Sequence, residues 1–346
     1  MTRRSPLAVL GTALLSASLA GCAGAPAVDP AAQVAATVPP PSVLPEQAQQ
    51  IRDEVAGRLQ AARGGTNPSL LEQAAVGPAA DLELLRAQVD GPQPDAETLD
   101  PPAAAVLVAP RTGTWPRWFV AVTDPSTDDE LPSLELYDSD DVRSPYRLWG
   151  RMTLLPGAVL PAFPDAGRGA VALADGTGPD RVPQDGDDEQ SDEDELLGVL
   201  AELSGRYASV LADGDASTAA AEFEPDAFVE GVLARAGAEQ AAVAGVAETT
   251  VTHTPYGDDD VLYAVEGADG DVLAVTAVQT VTTMTVLPGA GVLQPDAEVR
   301  AAAGIEETDG TLTTRSVAAL AFVVPAESGA IRLVAVGEGL VSAEAS

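Results

Sequence analysis

Residues 272–290 read VLAVTAVQTVTTMTVLPGA, a run rich in valine and threonine that ends in a Pro-Gly turn. β-branched side chains favour extended backbone and the Pro-Gly pair marks a turn, so the sequence predicts a long strand over 272–286. The last seven letters, MTVLPGA, recur with one conservative difference as MTLLPGA at 152–158, which is 132 residues earlier. Both copies are expected at the exit of a strand, and the repeat favours a duplicated domain.

The sequence on either side of the two copies predicts the same order of elements twice, with helices first and strands after them. In the first half the predicted helices are 46–63 and 67–89, the second interrupted at Gly77-Pro78, and the predicted strands are 104–108, 118–122, 133–137 and 146–155. In the second half, helices are predicted over 194–210 and from Pro225. Strands are predicted over 261–265, 272–286, 317–324 and 331–336, and the sequence does not decide whether 246–252 is a strand.

An acidic segment separates the halves, because residues 175–195 contain ten acidic residues and one arginine. Such a segment has too few apolar side chains to fold, so residues 175–193 are predicted to be a solvated linker. The expected fold class is α+β, with two similar domains at 46–174 and 194–346. Each domain would be a helix pair packed on a curved antiparallel sheet, similar in outline to cystatin-like or nuclear-transport-factor-like domains.

Composition excludes several classes of chemistry. The chain has 346 residues, and all 18 basic residues are arginine against 53 acidic ones, for a formal net charge of -35. The absence of lysine excludes Schiff-base and lysine-base catalysis. A chain this acidic repels nucleic acid, so no nucleic-acid partner is expected.

The N-terminus is typical of an exported protein. Two arginines precede an apolar run over 7–19 that is too short to span a membrane, which predicts a signal peptide over 1–21. The run ends in Leu19-Ala-Gly-Cys22, which resembles the lipobox of bacterial lipoproteins, where the cysteine thiol is acylated (for example with palmitate) and the chain is cut just before the cysteine. The alternative is an ordinary secretory peptide that contains a cysteine. Residues 22–45 are rich in proline and alanine, which predicts a tether.

Three stretches together resemble an uncharacterised family of lipoproteins from high-GC Gram-positive bacteria, known as a domain of unknown function. These stretches are the lipobox, the segment from Tyr146 through Ala158 to Leu160-Pro-Ala-Phe163, and the segment Tyr207–Ala216. The resemblance implies a lipid-anchored, extracytoplasmic location at the cell membrane and an architecture. It implies no activity and no catalytic residue.

Metal and nucleophile chemistry have weak support in the sequence. His253 is the one histidine and is flanked by threonines, so a Ser-His-Asp triad or a zinc site is less favoured than a structural histidine at a strand end. Asp213, Asp215, Ser217 and Glu224 have a calcium-loop spacing, but Thr218 occupies the position where glycine makes the sharp turn. A polar turn is favoured there, and a hairpin turn at 257–260. No metal, cofactor or catalytic residue is predicted.

Arginine and tryptophan concentrate between Arg111 and Arg151. Period-two alternation along 146–154 places Tyr146, Leu148 and Met152 on one face and Arg147, Trp149 and Arg151 on the other. The second face is a candidate binding face, because an Arg-Trp-Arg stripe could stack sugars or clamp an anionic group. The alternative is that these arginines pair with acids of the same segment, or pack between the domains, and shield Trp149.

These observations predict a non-enzymatic binding or scaffold lipoprotein on the outer face of the cytoplasmic membrane. Its expected partners are the membrane, through the lipid on Cys22, and an envelope protein or cell-wall component. The alternative function is an envelope carbohydrate hydrolase that uses paired Asp or Glu side chains.

Overall fold

A computed structural model describes residues 38–65, 68–91, 103–123, 131–176, 190–257, 261–326 and 329–346. These residues form seven α-helices and eleven strands, and all the strands belong to one sheet. The helices are α1 Pro45–Gly64, α2 Pro68–Glu72, α3 Gly77–Asp90, α4 Gln190–Ala201, α5 Leu203–Asp213, α6 Ala227–Ala242 and α7 Ala297–Ala303. The strands are β1 Ala104–Val108, β2 Pro110–Arg111, β3 Arg117–Thr123, β4 Ser133–Ser139, β5 Arg147–Leu154, β6 Ala170–Asp175, β7 Ala247–Pro255, β8 Tyr263–Glu266, β9 Val272–Val286, β10 Thr311–Val324 and β11 Arg332–Ala345.

The sheet curves until it nearly closes on itself. Its strand order is β1-β3-β4-β5-β11-β10-β9-β8-β6-β2, and β7 pairs with the second half of β9 beyond β8. The pairing is antiparallel except between β2 and β6, which run parallel. Strands β1 and β2, at opposite ends of this order, are separated along the chain by Ala109 alone, whose carbonyl accepts a hydrogen bond of 3.0 Å from the Ala170 amide. The chain itself therefore bridges the two edges.

Curvature gives the sheet an enclosed inner face, and the side chains on that face form what we call the inner core. Alternate residues of β3–β5 and β8–β11 point into it, because successive side chains of a strand lie on opposite faces. Its members include Trp118, Trp149, Met152, Val275 and Val323, all of them buried. The inner core is thus built from both halves of the sequence.

Two helical layers cover the outer face. On one side, α1 and α2 lie over β3–β5, where Val55 and Leu59 of α1 pack with Phe119, Tyr137 and Leu148, whereas Leu82 of α3 packs against the inner core. Helices α4–α6 cover β8–β11, where Tyr207 of α5 packs edge-to-face on Phe322 of β10 at a centroid distance of 4.9 Å. The sheet therefore buries apolar side chains on both of its faces, and this burial is the main stabilising contribution in such a fold.

The α+β class is confirmed, whereas the layout of two similar domains is not. Residues 39–346 form one compact unit, and in the sheet order the second-half strands β8–β11 lie between first-half strands on both sides. Strand β5 pairs with β11 and β6 pairs with β8, so the two predicted halves share main-chain hydrogen bonds as well as the inner core. The signal peptide, Cys22 and residues 177–189 of the acidic segment lie outside the described residues.

Most predicted elements are confirmed near their expected positions, including α1, the break between α2 and α3, and β9. Three elements were not predicted: β2, β6 and α7. Strands β10 and β11 are longer than predicted, and the helix expected over 194–210 divides into α4 and α5 around Glu202. In the described residues, no helix is long and apolar enough to cross a membrane.

The last residues of the predicted tether belong to the folded unit. Pro41 bridges to Arg111 of β2, and the Ser42 hydroxyl donates a hydrogen bond of 2.6 Å to the Trp118 carbonyl. Val43 is buried among α1, α2 and β3 side chains. The bridge uses the Ser42 amide and the Pro40 carbonyl and needs no donor from Pro41, so a proline-rich segment that composition alone indicates as a free tether can add to this sheet edge.

The repeated heptapeptide forms the same local structure twice. After β5 the Ala158 amide donates to the Leu155 carbonyl at 3.0 Å, and after β9 the Ala290 amide donates to the Leu287 carbonyl at 3.0 Å. The glycines of the two turns, Gly157 and Gly289, have φ values of 80° and 76°, which only glycine adopts easily. The repeat therefore specifies a strand-exit turn.

The seam between β5 and β11 depends on a glycine. A Cβ atom added to Gly337 of β11 would lie 2.0 Å from the carbonyl oxygen of Arg151 in β5, a main-chain atom that cannot move without disturbing the sheet. Two residues further along, a Cβ on Gly339 would meet only the flexible end of Leu82, at 2.7 Å. Gly337 therefore permits the close approach of the two halves.

We expect Gly337→Ala to destabilise the protein by at least about 2 kcal/mol, because the added methyl group forces the β5–β11 backbones apart. Gly339→Ala is the matched control, and should lose clearly less stability because the Leu82 side chain can rotate away. Urea unfolding of both variants measures the difference. Equal stability of the two variants would contradict the proposed seam.

Candidate functional site

The predicted Arg-Trp-Arg face is divided by a β-bulge. In the β4–β5 register Leu136 pairs with Gly150 and Tyr137 pairs with Leu148, so Trp149 is an extra residue without a partner. An extra residue shifts the alternation of side chains by one position. The prediction that Trp149 lies opposite the core-facing side chains is therefore wrong.

The three residues of that face have separate environments. Trp149 is 3% exposed in the inner core and packs edge-to-face on Tyr263 at 5.3 Å. Arg147 forms a salt bridge with Asp140, and Arg151 donates from Nε to Glu135 at 2.9 Å. The two arginines thus pair with acids of their own segment, which was the alternative interpretation, and the structure brings together no Arg-Trp-Arg surface.

Glu135 is the centre of a buried ion cluster under α1. Its Oε2 atom accepts hydrogen bonds from Arg52 Nε at 3.2 Å, Arg52 Nη2 at 3.1 Å and the Tyr137 hydroxyl at 2.8 Å. Arg52 is 1% and Glu135 is 2% exposed. Both carboxylate oxygens accept from side chains of the protein, since Oε1 accepts from Arg151 Nε, and this cluster therefore holds α1 on β4.

Asp138 is a buried carboxyl on the inner face. It is 6% exposed, it shares a hydrogen bond with the Tyr263 hydroxyl, and its Oδ1 atom has no partner in the described part of the chain. Burial, together with the negative charge of Asp140, raises the pKa of Asp138 to about 6. The ring of Tyr263 packs edge-to-face on both Trp118 and Trp149. Asp138 is therefore a pH-sensitive part of a closely packed aromatic cluster.

The residues that can hold a ligand lie elsewhere, in a cavity of about 320 Å³ between α6 and the outer face of the sheet. We call it the α6 pocket. Its floor is formed by β7, β9 and β10, its cover by α6, and one end by α7. The volume is within the range typical of small-molecule sites, which is about 300–1,000 Å³.

Hydroxyl groups form a regular array on the floor of the α6 pocket. Thr280 of β9 pairs with Ser316 of β10, and Thr282 pairs with Thr314. Directly paired residues of antiparallel strands lie about 5 Å apart and residues two apart on one strand about 7 Å, so the four hydroxyls mark the corners of a rectangle. Elsewhere on this outer face the same strands carry alanine, leucine and phenylalanine. The floor is therefore polar at the position where α6 crosses it.

His253 of β7 completes the floor. It pairs with Thr280 in the sheet, and its Nδ1 atom lies 2.9 Å from the Thr280 hydroxyl oxygen. Burial lowers the pKa of His253, which keeps the imidazole neutral at neutral pH. The sequence interpretation of a structural histidine at a strand end missed its place in the pocket, because the partner strands were not known.

Helix α6 covers the pocket with its apolar side. The helix begins after Asp226, whose Oδ1 atom accepts a hydrogen bond of 2.8 Å from the Val229 amide. Phe228, Val232 and Ala236 follow at helical spacing and line the pocket, and Val232 alone of the α6 residues is fully buried. Arg235 then donates two hydrogen bonds, of 3.1 and 3.0 Å, to the Glu338 carboxylate of β11.

Three further acids line the α6 pocket: Glu239 of α6, and Asp296 and Glu298 at the start of α7. In the described part of the chain none of them forms a salt bridge, whereas Glu338 is paired with Arg235. Burial is the largest cause of a raised pKa at Glu239, and the nearby Asp296 carboxylate raises it further. The pocket is therefore negatively charged.

A second cavity, of about 870 Å³, lies between α4 and the turn that joins β10 to β11. Its arginine, Arg206, is held by Glu202 and Glu222, and it has no row of hydroxyls comparable to the β9–β10 array among its described lining residues. Among all described residues, no group of three or more His, Cys, Asp or Glu side chains could hold a metal ion. Residues 213–224 of the calcium-like spacing form two short 3-10 turns, Gly214–Ala216 and Ala220–Glu222.

One signal in the sequence could have indicated the α6 pocket. Threonine and serine occupy alternate positions at 280–282 and 314–316, inside strands whose other outward positions are apolar except for the buried Thr276. A polar pair at matching positions of two neighbouring strands is expected to meet on one face. The pairing register of β9 with β10 is needed to see this.

We expect Asp138→Asn to change the pH dependence of stability. The folded state binds the Asp138 proton more tightly than the unfolded chain does. This proton therefore makes its whole contribution to the free energy of unfolding below about pH 4, and the contribution is lost as pH rises through 6. Asparagine cannot ionise, so the variant should gain up to about 3 kcal/mol relative to wild type between pH 4 and pH 8. Urea unfolding across this pH range measures the effect.

Asp165→Asn, which changes an exposed carboxylate, is the control and should follow the wild-type profile. A profile of Asp138→Asn that runs parallel to wild type would show that the burial of Asp138 has no energetic consequence.

Comparison with known proteins places the chain in a family. A family model described as Domain of unknown function (DUF8094) matches residues 39–345, which is nearly the whole described unit. No match was found among curated proteins or among solved structures. The match spans both halves of the sheet, in agreement with one compact unit. The chain therefore belongs to the DUF8094 family.

Proposed function

We propose that the protein is a lipid-anchored lipoprotein of the cell envelope, and that its folded unit is a non-enzymatic binding module for a small molecule. The observation that carries the binding role is the α6 pocket, a cavity of about 320 Å³ with a polar floor and an apolar cover. Pockets that combine apolar walls with a few converging polar groups are the usual form of small-molecule sites. The scaffold role expected from the sequence has no comparable support.

The floor groups of the pocket favour binding over catalysis. A catalytic triad needs a carboxylate at Nδ1 of the histidine, to orient the ring and stabilise its charged form. At His253 that position is occupied by the Thr280 hydroxyl, and the depressed pKa of the imidazole disfavours the charged form. Threonine and serine hydroxyls on rigid strands can donate to and accept from a bound molecule without reacting with it.

A second candidate function is the carbohydrate hydrolase. The observation that favours it is the carboxylate pair Glu239 and Asp296, which line the same pocket and of which Glu239 has a raised pKa. Glycosidases use one acid with a raised pKa and one ionised partner. Against this role, Asp296 Oδ1 already accepts a hydrogen bond of 2.9 Å from the Val299 amide and caps α7.

The envelope location depends on Cys22 and on the resemblance to lipoproteins of high-GC Gram-positive bacteria. Because residues 38–45 belong to the folded unit, the tether in this proposal is limited to residues 22–37. The acidic surface of the chain also suits an extracytoplasmic face that has no nucleic acid to bind.

Filling the α6 pocket should abolish small-molecule binding. We expect Thr282→Trp to occupy the floor, while Thr252→Trp, on the exposed opposite side of β7, leaves the pocket open. In a thermal-shift screen of small molecules, wild type and Thr252→Trp should share hits that Thr282→Trp loses. A ligand at about 100 times its Kd should raise the melting temperature by roughly 5 °C.

Hits that persist in Thr282→Trp, or a screen without any hit, would contradict a binding role for the α6 pocket. Release of reducing sugar from cell-wall glycans by wild type, lost in Glu239→Gln, would establish the hydrolase instead.

Replacement of Cys22 should release the protein from the membrane. A Cys22→Ala chain cannot be acylated at this position, so it should appear in the soluble fraction or remain unprocessed, whereas wild type partitions into detergent. Mass spectrometry of the mature N-terminus measures the acyl group directly. Identical partitioning of both chains, with no acyl group on Cys22, would overturn the proposed anchor.

A further inference from the structure

We infer that the α6 pocket takes a small organic cation, a protonated amine that carries an apolar body; this inference rests on the proposed binding function. Three features of the pocket support this ligand: its charge, the hydrogen-bonding groups of its floor and the apolar side of α6.

The charge of the pocket excludes an anion. Glu239, Asp296 and Glu298 line the cavity, and none of them has a salt-bridge partner in the described ranges. Arg235 is the one arginine among the described lining residues, and it donates two hydrogen bonds to Glu338. A carboxylate or phosphate ligand would face uncompensated negative charge, while an ammonium group would reduce the repulsion among the three acids.

The state of Glu239 points to the same conclusion. Its pKa is raised by burial and by Asp296, although Arg235 lies one helical turn before it and acts in the opposite direction. The positive charge of Arg235 is therefore insufficient to compensate for the burial of this carboxylate. A cation bound beside Glu239 would supply further positive charge in a half-buried position, where solvent screens it less than at an open surface.

The floor can satisfy the donors of an ammonium group. Such a group has three N–H donors and no acceptor. The hydroxyl oxygens of Thr280, Thr282 and Thr314 can accept from it, as can the acids at the α7 end. A divalent metal ion would require a closer cluster of ligands than the described residues provide.

The cover of the pocket suits an apolar body. Phe228, Val232 and Ala236 present one aromatic ring and two aliphatic side chains to the cavity. Burial of an apolar body against them is favourable, and the Phe228 ring can also attract a cation near its face. A polyol such as a free sugar would leave this apolar wall without a partner, so an amine with a hydrocarbon body fits the whole lining better.

The test uses three probes of similar shape that differ in the head group: phenethylamine, 2-phenylethanol and phenylacetate. Isothermal titration calorimetry with the full folded chain, at about 20 mM NaCl, should show binding of phenethylamine and at least about tenfold weaker binding of the other two. Binding of phenethylamine should weaken as NaCl rises to about 500 mM, because salt screens the charge interaction.

Two glutamate-to-glutamine variants show whether phenethylamine binds beside the pocket carboxylate. Glu239→Gln removes one pocket carboxylate and should weaken phenethylamine binding about fivefold or more. Glu248→Gln removes an exposed carboxylate from the opposite face of β7 and should leave binding unchanged. Thermal melts of both variants confirm that they are folded.

The outcomes distinguish a wrong ligand class from a wrong binding site. If 2-phenylethanol or phenylacetate binds as well as phenethylamine, and Thr282→Trp abolishes that binding, the pocket is a binding site but the inferred cation is wrong. If none of the three probes binds, the inference is overturned, and hits of other chemistry in the screen would still support the pocket. If Glu239→Gln and Glu248→Gln weaken binding equally, non-specific attraction to an acidic protein replaces the inferred site.

Discussion

The contact between β5 and β11 is the constraint on which the rest of the structure depends. It joins the sheet of the first half to the sheet of the second half through main-chain hydrogen bonds, including one of 2.8 Å from the Leu155 amide to the Val334 carbonyl. The backbones can approach because Gly337 has no side chain. Once this seam forms, the remaining edges are brought together at β6 and β8, and one inner core replaces the two separate cores that the sequence suggested.

Closure of the sheet also explains where the α6 pocket lies. A strongly curved sheet has an enclosed inner face that must be apolar and an outer face that is covered only where helices lie on it. Strands β9 and β10 are long enough, at 15 and 14 residues, to extend beyond the inner core. Their far ends carry threonine and serine on the outer face, and α6 crosses above them with few buried side chains. The pocket is thus the space between a lightly packed helix and a polar part of an otherwise apolar sheet.

Local signals predicted much of the fold. The valine-rich and threonine-rich run at 272–286 predicted the bounds of β9, and Gly77-Pro78 predicted the start of α3. The predictions failed where the outcome depends on contacts between distant residues. The MTLLPGA and MTVLPGA repeat encodes a strand-exit turn, which needs a glycine with positive φ but does not need a duplicated domain. Strand β11 was predicted to end near 336, because the following GEGLVSAEA is a weak strand sequence that is extended here by its pairing with β10.

In the candidate site, too, the predictions failed where the outcome depends on contacts between distant residues. The bulge at Trp149 depends on the β4–β5 register, and a shift of one residue moves the ring from the solvent face into the inner core. The hydroxyl array depends on the β9–β10 register, and the acids of the pocket come from α6, from the start of α7, which was not predicted, and from the part of β11 beyond its predicted end. Composition and period-two alternation therefore identified strands and their apolar residues, but not which polar residues of different strands would meet.

The two halves of the chain form one cooperative unit. Unfolding by urea tests this cooperativity most directly. The three tryptophans, Trp115, Trp118 and Trp149, all lie in the first half, and their fluorescence reports on the surroundings of these first-half residues, two of which lie in the inner core. A fluorophore on a Thr252→Cys substitution, in a Cys22→Ala background, reports on the second half. A shared inner core predicts that the two signals change with the same midpoint and the same slope. Two separate transitions, with either half folded while the other is unfolded, would contradict the account.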